Sequence, residues 1–196
     1  MTQAFECEVR FKIESIGDFE ERLNRLGARI AYPYEFIDHY YKPAGTEWNP
    51  VEKNLRIREW ISPRKTPIIY FVKLEIVSIG GLQFKRALYP EGKLPLFRGG
   101  LNICQSLLED LGFEFCFSLR KEKAHLWEIP KHNFYTAVEH VEGLGWTGEL
   151  EFEGKDPEKA KSAIEKALKV LHVPRRLVTH KPISAIYLET DAPKTQ

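Results

Sequence analysis

Apolar and polar side chains alternate with period two through most of the chain, in stretches of strand length separated by Pro, Gly and Asn. The pattern predicts strands over Phe5 to Ile13, Asn54 to Trp60, Ile68 to Val77, Phe84 to Tyr89, Leu119 to Ile129, Phe134 to Val141 and Gly148 to Phe152, with a further segment around Asp38 to Tyr41. Gly80-Gly81 supplies the positive-φ residues of a tight hairpin turn, and Pro130 to Asn133 marks another reversal. Helical periodicity covers Asp18 to Leu26, Asn102 to Leu111 and Asp156 to Leu171, with a short helix over Ile183 to Leu188. Asp18 and Asp156 stand at the expected N-caps, Pro157 at a first helical position, and Gly27 and Gly112 where helices end. Pro90 to Gly100 reads as a long loop, Asp191 to Gln196 as a tail that frays, and residues 1–190 as one domain.

Composition narrows the class. The 196 residues carry 29 Lys+Arg against 28 Asp+Glu, a formal net charge of +1, and 43% hydrophobic residues. That apolar content suffices for a sizeable core and argues against disorder. The even charge removes the usual case for duplex nucleic acid or an anionic membrane as partner. Cys7, Cys104 and Cys116 form neither a disulfide framework nor a metal-ligand spacing, no apolar leader opens the chain, and no run approaches membrane-spanning length. The reading is a reduced, cytoplasmic protein.

The distribution of sign on strand faces carries the chemistry. Along the first strand Phe5, Cys7, Val9 and Phe11 share one face, and Glu6, Glu8, Arg10 and Lys12 the other. Arg56 and Arg58 share a face, as do Lys73 and Glu75, then Lys121, Lys123 and His125, and finally Glu149 and Glu151. An antiparallel sheet with its polar face in water explains any single strand. Acidic pairs at i, i+2 leave a strand ~7 Å apart, however, a spacing from which two carboxylates can converge on one hard cation. The cationic set suits polyphosphate oxygens. If the strands close, the ionised face becomes a lumen and the apolar face packs outward against the helices.

Glu6-x-Glu8-x-Arg10 resembles the Glu-x-Glu-x-Lys signature of the CYTH domain, the triphosphate tunnel metalloenzyme superfamily of class IV adenylyl cyclases, thiamine triphosphatases and tripolyphosphatases. Asp38-His39-Tyr40-Tyr41, Leu55-Arg56-Ile57-Arg58 and Phe71-Val72-Lys73 resemble later blocks of that family in the same order. Glu139-His140-Val141-Glu142-Gly143-Leu144-Gly145-Trp146, running on to Glu149-Leu150-Glu151, resembles its Asp-x-Val-x-Gly-Leu-Gly-Phe-x-Glu-Ile-Glu block.

The resemblance implies an α+β fold, a closed antiparallel β-barrel of about eight strands forming a charged tunnel flanked by helices. It implies Mg²⁺ or Mn²⁺ held by Glu6, Glu8, Glu149 and Glu151, and a triphosphate-containing small molecule gripped by Arg10, Arg56, Arg58, Lys73 and Lys123, with Lys121 beside them. Glu139, in the family's aspartate position, or Glu8 would position the attacking water. Arg10 stands where the signature has lysine, and Gln83-Phe84-Lys85-Arg86-Ala87 lacks an acidic residue, leaving open whether Lys85 or Arg86 faces the tunnel. The expected activity is metal-dependent triphosphate hydrolysis. A cyclase making cyclic AMP and pyrophosphate, a polyphosphate-binding module without catalysis, and a homodimer all stay open. The histidines read as surface or core residues, and Trp48, Trp60, Trp127 and Trp146 as packing or loop anchors rather than stacking platforms.

Overall fold

The computed structural model describes residues 5–49, 51–89, 92–154 and 156–190, with backbone only at 5, 6 and 84. The predicted tail, 191–196, lies outside them, as do Pro90 and Glu91. The strands are β1 (Phe5–Lys12), β2 (Arg29–Pro43), β3 (Lys53–Ser62), β4 (Lys65–Ile79), β5 (Leu82–Ala87), β6 (Leu94–Arg98), β7 (Phe113–Ile129), β8 (Phe134–Val141), β9 (Gly145–Gly154) and β10 (Val178–Thr179). The helices are α1 (Ile16–Arg25), α2 (Leu101–Asp110), α3 (Pro157–Val170) and α4 (Ile183–Glu189). Eight strands close into an antiparallel barrel in the order β1-β5-β4-β3-β2-β7-β8-β9, with β9 returning to β1. β6 continues along β4 beyond β5, and β10 adds two residues to β1.

Closure follows from the two-faced strands. Cys7, Val9, Phe11 and Ile13 turn outward and bury against Phe19 and Leu23 of α1 and Ala160, Ile164 and Leu168 of α3. Leu55, Ile57 and Ile69 do the same against Cys104 and Leu108 of α2. Gly148 faces Phe11 across the seam, and a Cβ there would lie 2.1 Å from the Phe11 ring, so the residue must lack a side chain. With the apolar faces outside, the ionised faces have nowhere to go but the lumen.

Several expectations need correction. β2 begins at Arg29, not near Asp38. Its early half pairs with β7 alone, since contact with β3 starts at Glu35, and Pro33 falls in that one-sided part where its missing N–H is tolerated. The expected loop from Pro90 to Gly100 contains β6. Ser15, not Asp18, caps α1: its Oγ accepts from the Asp18 N–H at 3.4 Å. Asp156 caps α3 by accepting from the Glu158 and Lys159 N–H groups, and Gly80 and Gly81, at φ 53° and 78°, make the two-residue turn between β4 and β5.

Candidate active site: a tiered lumen

The lumen holds a cavity of 260 Å³. At one end α4 sets Ile183 and Tyr187 against Tyr40, Phe117, Leu119 and Val141, an apolar layer with Tyr40 and Phe117 stacked at 4.7 Å and Phe117 and Tyr187 at 5.2 Å. Above this layer lies a charged tier. The β2–β3 register places Asp38 opposite Arg58 and Tyr40 opposite Arg56. Arg58 donates to both oxygens of Asp38 at 2.7 Å, and Arg56 Nε lies 3.1 Å from Oδ2 of the same carboxylate. Burial by itself would raise the Asp38 carboxyl, but Arg58 and Arg56 more than offset it and hold the group below the usual carboxylate range. Two guanidiniums thus share one carboxylate that is 1% exposed.

A second carboxylate organises the β1–β7–β8 wall. Glu139, 2% exposed, accepts from Tyr34 Oη at 2.6 Å, Lys121 Nζ at 2.8 Å and Arg10 at 3.0 Å. Burial pushes this carboxyl up, yet Lys121 and Arg10 outweigh burial and bring it to about 2. Lys121 moves down to about 8, because burial, with Arg10 and Arg58 nearby, outweighs its attraction to Glu139. Burial likewise pushes the Tyr34 hydroxyl well up, so it stays a donor. Arg10 Nε is buried with no hydrogen-bond partner among the described residues.

The acidic wall runs along the seam, where Glu8 faces Glu151 and Arg10 faces Glu149. Glu8 contacts Lys85 and lies 3.5 Å from Arg10, and Arg10 also contacts Glu149. Burial would raise Glu8, but Lys85 and Arg10 hold it low. Glu151 stands at the rim, accessible to solvent yet crowded by protein, and burial together with Glu8 and Glu153 pushes it up to about 7.

Arg10, Arg56, Arg58, Lys85 and Lys121 therefore line one cavity with Glu8, Glu139, Glu149 and Glu151. The question at β5 resolves to Lys85; Arg86 pairs with Glu75. Lys73 is a correction: Tyr70, Val72 and Leu74 take the inward parity, and Lys73 is exposed on the outward one. Lys123 is another. A bulge in β7 between Glu122 and His125 puts Lys123 at φ 48° and leaves its side chain exposed, so it misses the face that Lys121 occupies. Trp60, expected as packing, lines the cavity. Asp38 and Tyr34 also line the cavity, on the inward parity of β2 with Tyr32, Phe36 and Tyr40.

The metal set is only partly assembled. The Glu6 side chain lies outside the described residues, and among those described no three His, Cys, Asp or Glu side chains stand together to hold an ion. Glu8 and Glu151, opposite each other, are hard oxygen donors whose mutual repulsion a divalent cation would relieve, so the donors fit such an ion at that one place.

The lumen of this closed barrel is thus lined by paired cations and carboxylates. The sequence matches the CYTH domain model over residues 4–181, and the chain belongs to that family. No curated protein sequence matches it. Among solved structures, a hypothetical protein from Pyrococcus furiosus is 23% identical with a TM-score of 0.67, covering 91% of this chain and 97% of its own. A Hippeastrum adenylyl cyclase candidate with a dominant triphosphatase activity is 14% identical at TM-score 0.62, covering 98% and 100%. An RNA triphosphatase domain of a mimivirus capping enzyme is 11% identical at 0.50, covering 86% and 89%. At these identities the likeness is one of fold.

Proposed function

We propose that the protein is a divalent-metal-dependent phosphohydrolase acting on a triphosphate-containing substrate. The observation that carries this reading is the sharing of Asp38 by Arg56 and Arg58, which leaves a surplus of positive charge in a largely buried tier. A surplus guanidinium in low dielectric is stabilised by an anion, and planar forks match phosphate oxygens two at a time.

Arg56, Arg58 and Lys121 would orient the phosphate chain, and the Arg10 Nε proton would go to a phosphate oxygen. Glu139, ionised and bound by three donors, keeps Lys121 and Arg10 aimed into the lumen; a carboxylate held near 2 is a weak base, so its part is orientation. Glu8 and Glu151, with Glu149 beside them, would hold Mg²⁺ or Mn²⁺, which when bound neutralises phosphate charge and acidifies water. In the reaction the water oxygen bonds to the terminal phosphorus as the bridging P–O bond breaks, one water proton staying on the orthophosphate and the other passing to solvent. Orthophosphate and the diphosphate-bearing product leave.

Phosphorus NMR with Mg²⁺ or Mn²⁺ and, separately, tripolyphosphate, thiamine triphosphate and ATP tests the reading. Orthophosphate released together with the diphosphate product is expected. Pyrophosphate and cyclic AMP from ATP would make the protein a cyclase, and tight binding without product a receptor.

A further inference from the structure

The charged tier is only the inner half of the cavity. Along β2 the inward positions before Asp38 are Tyr32, Tyr34 and Phe36, stacked in succession with ring centroids 5.9 and 5.8 Å apart. The register pairs Phe36 with Trp60 one step outward from the Asp38–Arg58 pair, and those rings meet edge to face at 5.3 Å. Tyr32, Tyr34 and Trp60 are half-buried and line the same cavity as the guanidiniums. Three features separate this wall from ordinary packing. Large aromatic rings face a polar lumen and not the helices outside. The Trp60 indole N–H is enclosed with no partner among the described residues. The exposed Lys65 brings its ammonium to 4.4 Å from the Trp60 centroid and 5.5 Å from that of Tyr32.

Resting on the triphosphate reading above, we infer that this outer tier binds a planar aromatic ring carried at the end of the phosphate chain, so that the preferred ligand is an organic and not an inorganic triphosphate. The chain's anionic groups sit on Arg56, Arg58 and Lys121, the ring stacks on Tyr32 and Trp60, and Lys65 closes over the ring or the adjoining phosphate. Arg58 joins the two tiers, its guanidinium 3.6 Å from the Phe36 centroid while both its bonds go to Asp38. Stacking a base on an aromatic side chain is worth about 1–3 kcal/mol, roughly 5- to 150-fold in affinity. Tripolyphosphate has no group to collect that term.

Calorimetric titration of the full chain with ATP, thiamine triphosphate and tripolyphosphate, at one salt and divalent-ion concentration, tests the inference. At least one organic triphosphate is expected to bind about 5-fold or more tightly than tripolyphosphate. Trp60→Leu and Tyr32→Ala should lower that ratio toward one, and Trp60→Phe, which keeps a ring, should restore most of it. Circular dichroism and thermal melts identify any variant that fails to fold, and the unaltered chain's preference decides the matter without variants. Binding of both organic ligands less than about 5-fold tighter than that of tripolyphosphate overturns the ring site and leaves the triphosphate reading standing. Failure of all three to bind overturns both.

Discussion

The two oxygens of Asp38 are each engaged by Arg58 at 2.7 Å, and Oδ2 also has Arg56 Nε at 3.1 Å. Removing this carboxylate leaves two enclosed guanidiniums without their anion. Asp38→Ala should destabilise the fold by about 3–5 kcal/mol, the cost of breaking a buried ion pair from one side. A urea midpoint shift equivalent to less than about 1 kcal/mol would show that the arginines are held by other means. Saturating tripolyphosphate should recover part of the loss, since it supplies the missing charge.

Lys121 sets an alkaline limit on anion binding. Its folded value, about 8, lies below the ordinary 10.5, so the side chain is charged below about 8 and neutral above. Tripolyphosphate should bind more weakly as pH rises from 7 to 9.5, and Lys121→Gln should abolish that pH-dependent loss. For folding, the sign is a stability cost present below about 8 that fades toward 10.5. Calorimetric dissociation constants across this range check the first statement, and urea unfolding at pH 7 and 10 the second.

Glu139 acts in the acid range. A carboxyl lowered to about 2 contributes stability that is present above its ordinary 4.5 and is lost as pH falls through about 2. The parent chain should therefore melt progressively lower from pH 5 to pH 2. Glu139→Gln should flatten that decline while lowering the melt near neutrality. Parallel slopes for the two proteins would contradict the assignment.

Divalent-ion binding should depend on the cross-strand pair Glu8 and Glu151. Either Gln substitution is expected to weaken Mn²⁺ binding, followed by electron paramagnetic resonance, by tenfold or more. Removal of divalent ions with a chelator should leave the far-ultraviolet dichroism unchanged, because the walls are held by strand pairing and side-chain ion pairs. Unaltered Mn²⁺ affinity in both variants would move the ion elsewhere.

Lys73 and Lys123 offer a contrast with Lys121. Both are exposed, and Lys123 sits at φ 48°, where a side chain costs ~1–2 kcal/mol relative to glycine. Lys123→Gly should hold or raise the melting temperature, and neither it nor Lys73→Ala should weaken tripolyphosphate binding more than about twofold. Losses matching that of Lys121→Gln would return these lysines to the lumen.

What could be read beforehand follows from how local each signal is. Glu8 and Arg10 alternate with Cys7, Val9 and Phe11, so their shared face was plain from the sequence, whereas an open sheet would have served that pattern equally and the closed barrel was implied by the family resemblance. β4 gave no such guide: Ile68 to Phe71 are apolar on both parities, and nothing local tells whether Val72 or Lys73 points inward. The bulge that expels Lys123 arises from the mismatch of β7 with β2 and β8, which no single segment encodes. Asp38 gains its meaning from Arg58 twenty residues on, through a register that only the closed barrel defines. Pro33 hid the outer half of β2, and the aromatic tier with it.

The seam between β1 and β9 joins residues as far apart as Phe5 and Gly154. During synthesis the first strand therefore waits, its Glu-bearing face and its apolar face both unpaired on the β9 side, until almost the whole barrel sequence has left the ribosome. Closure is a late event on a nascent chain, and the wall that carries Glu8, Glu149 and Glu151 is assembled at that step. A chain cut short before Gly148 keeps Glu8 and the arginines of the charged tier but lacks Glu149, Glu151 and most of the strand that closes the barrel, so a truncated product carries only half of the acidic wall and no seam to set it against the cations.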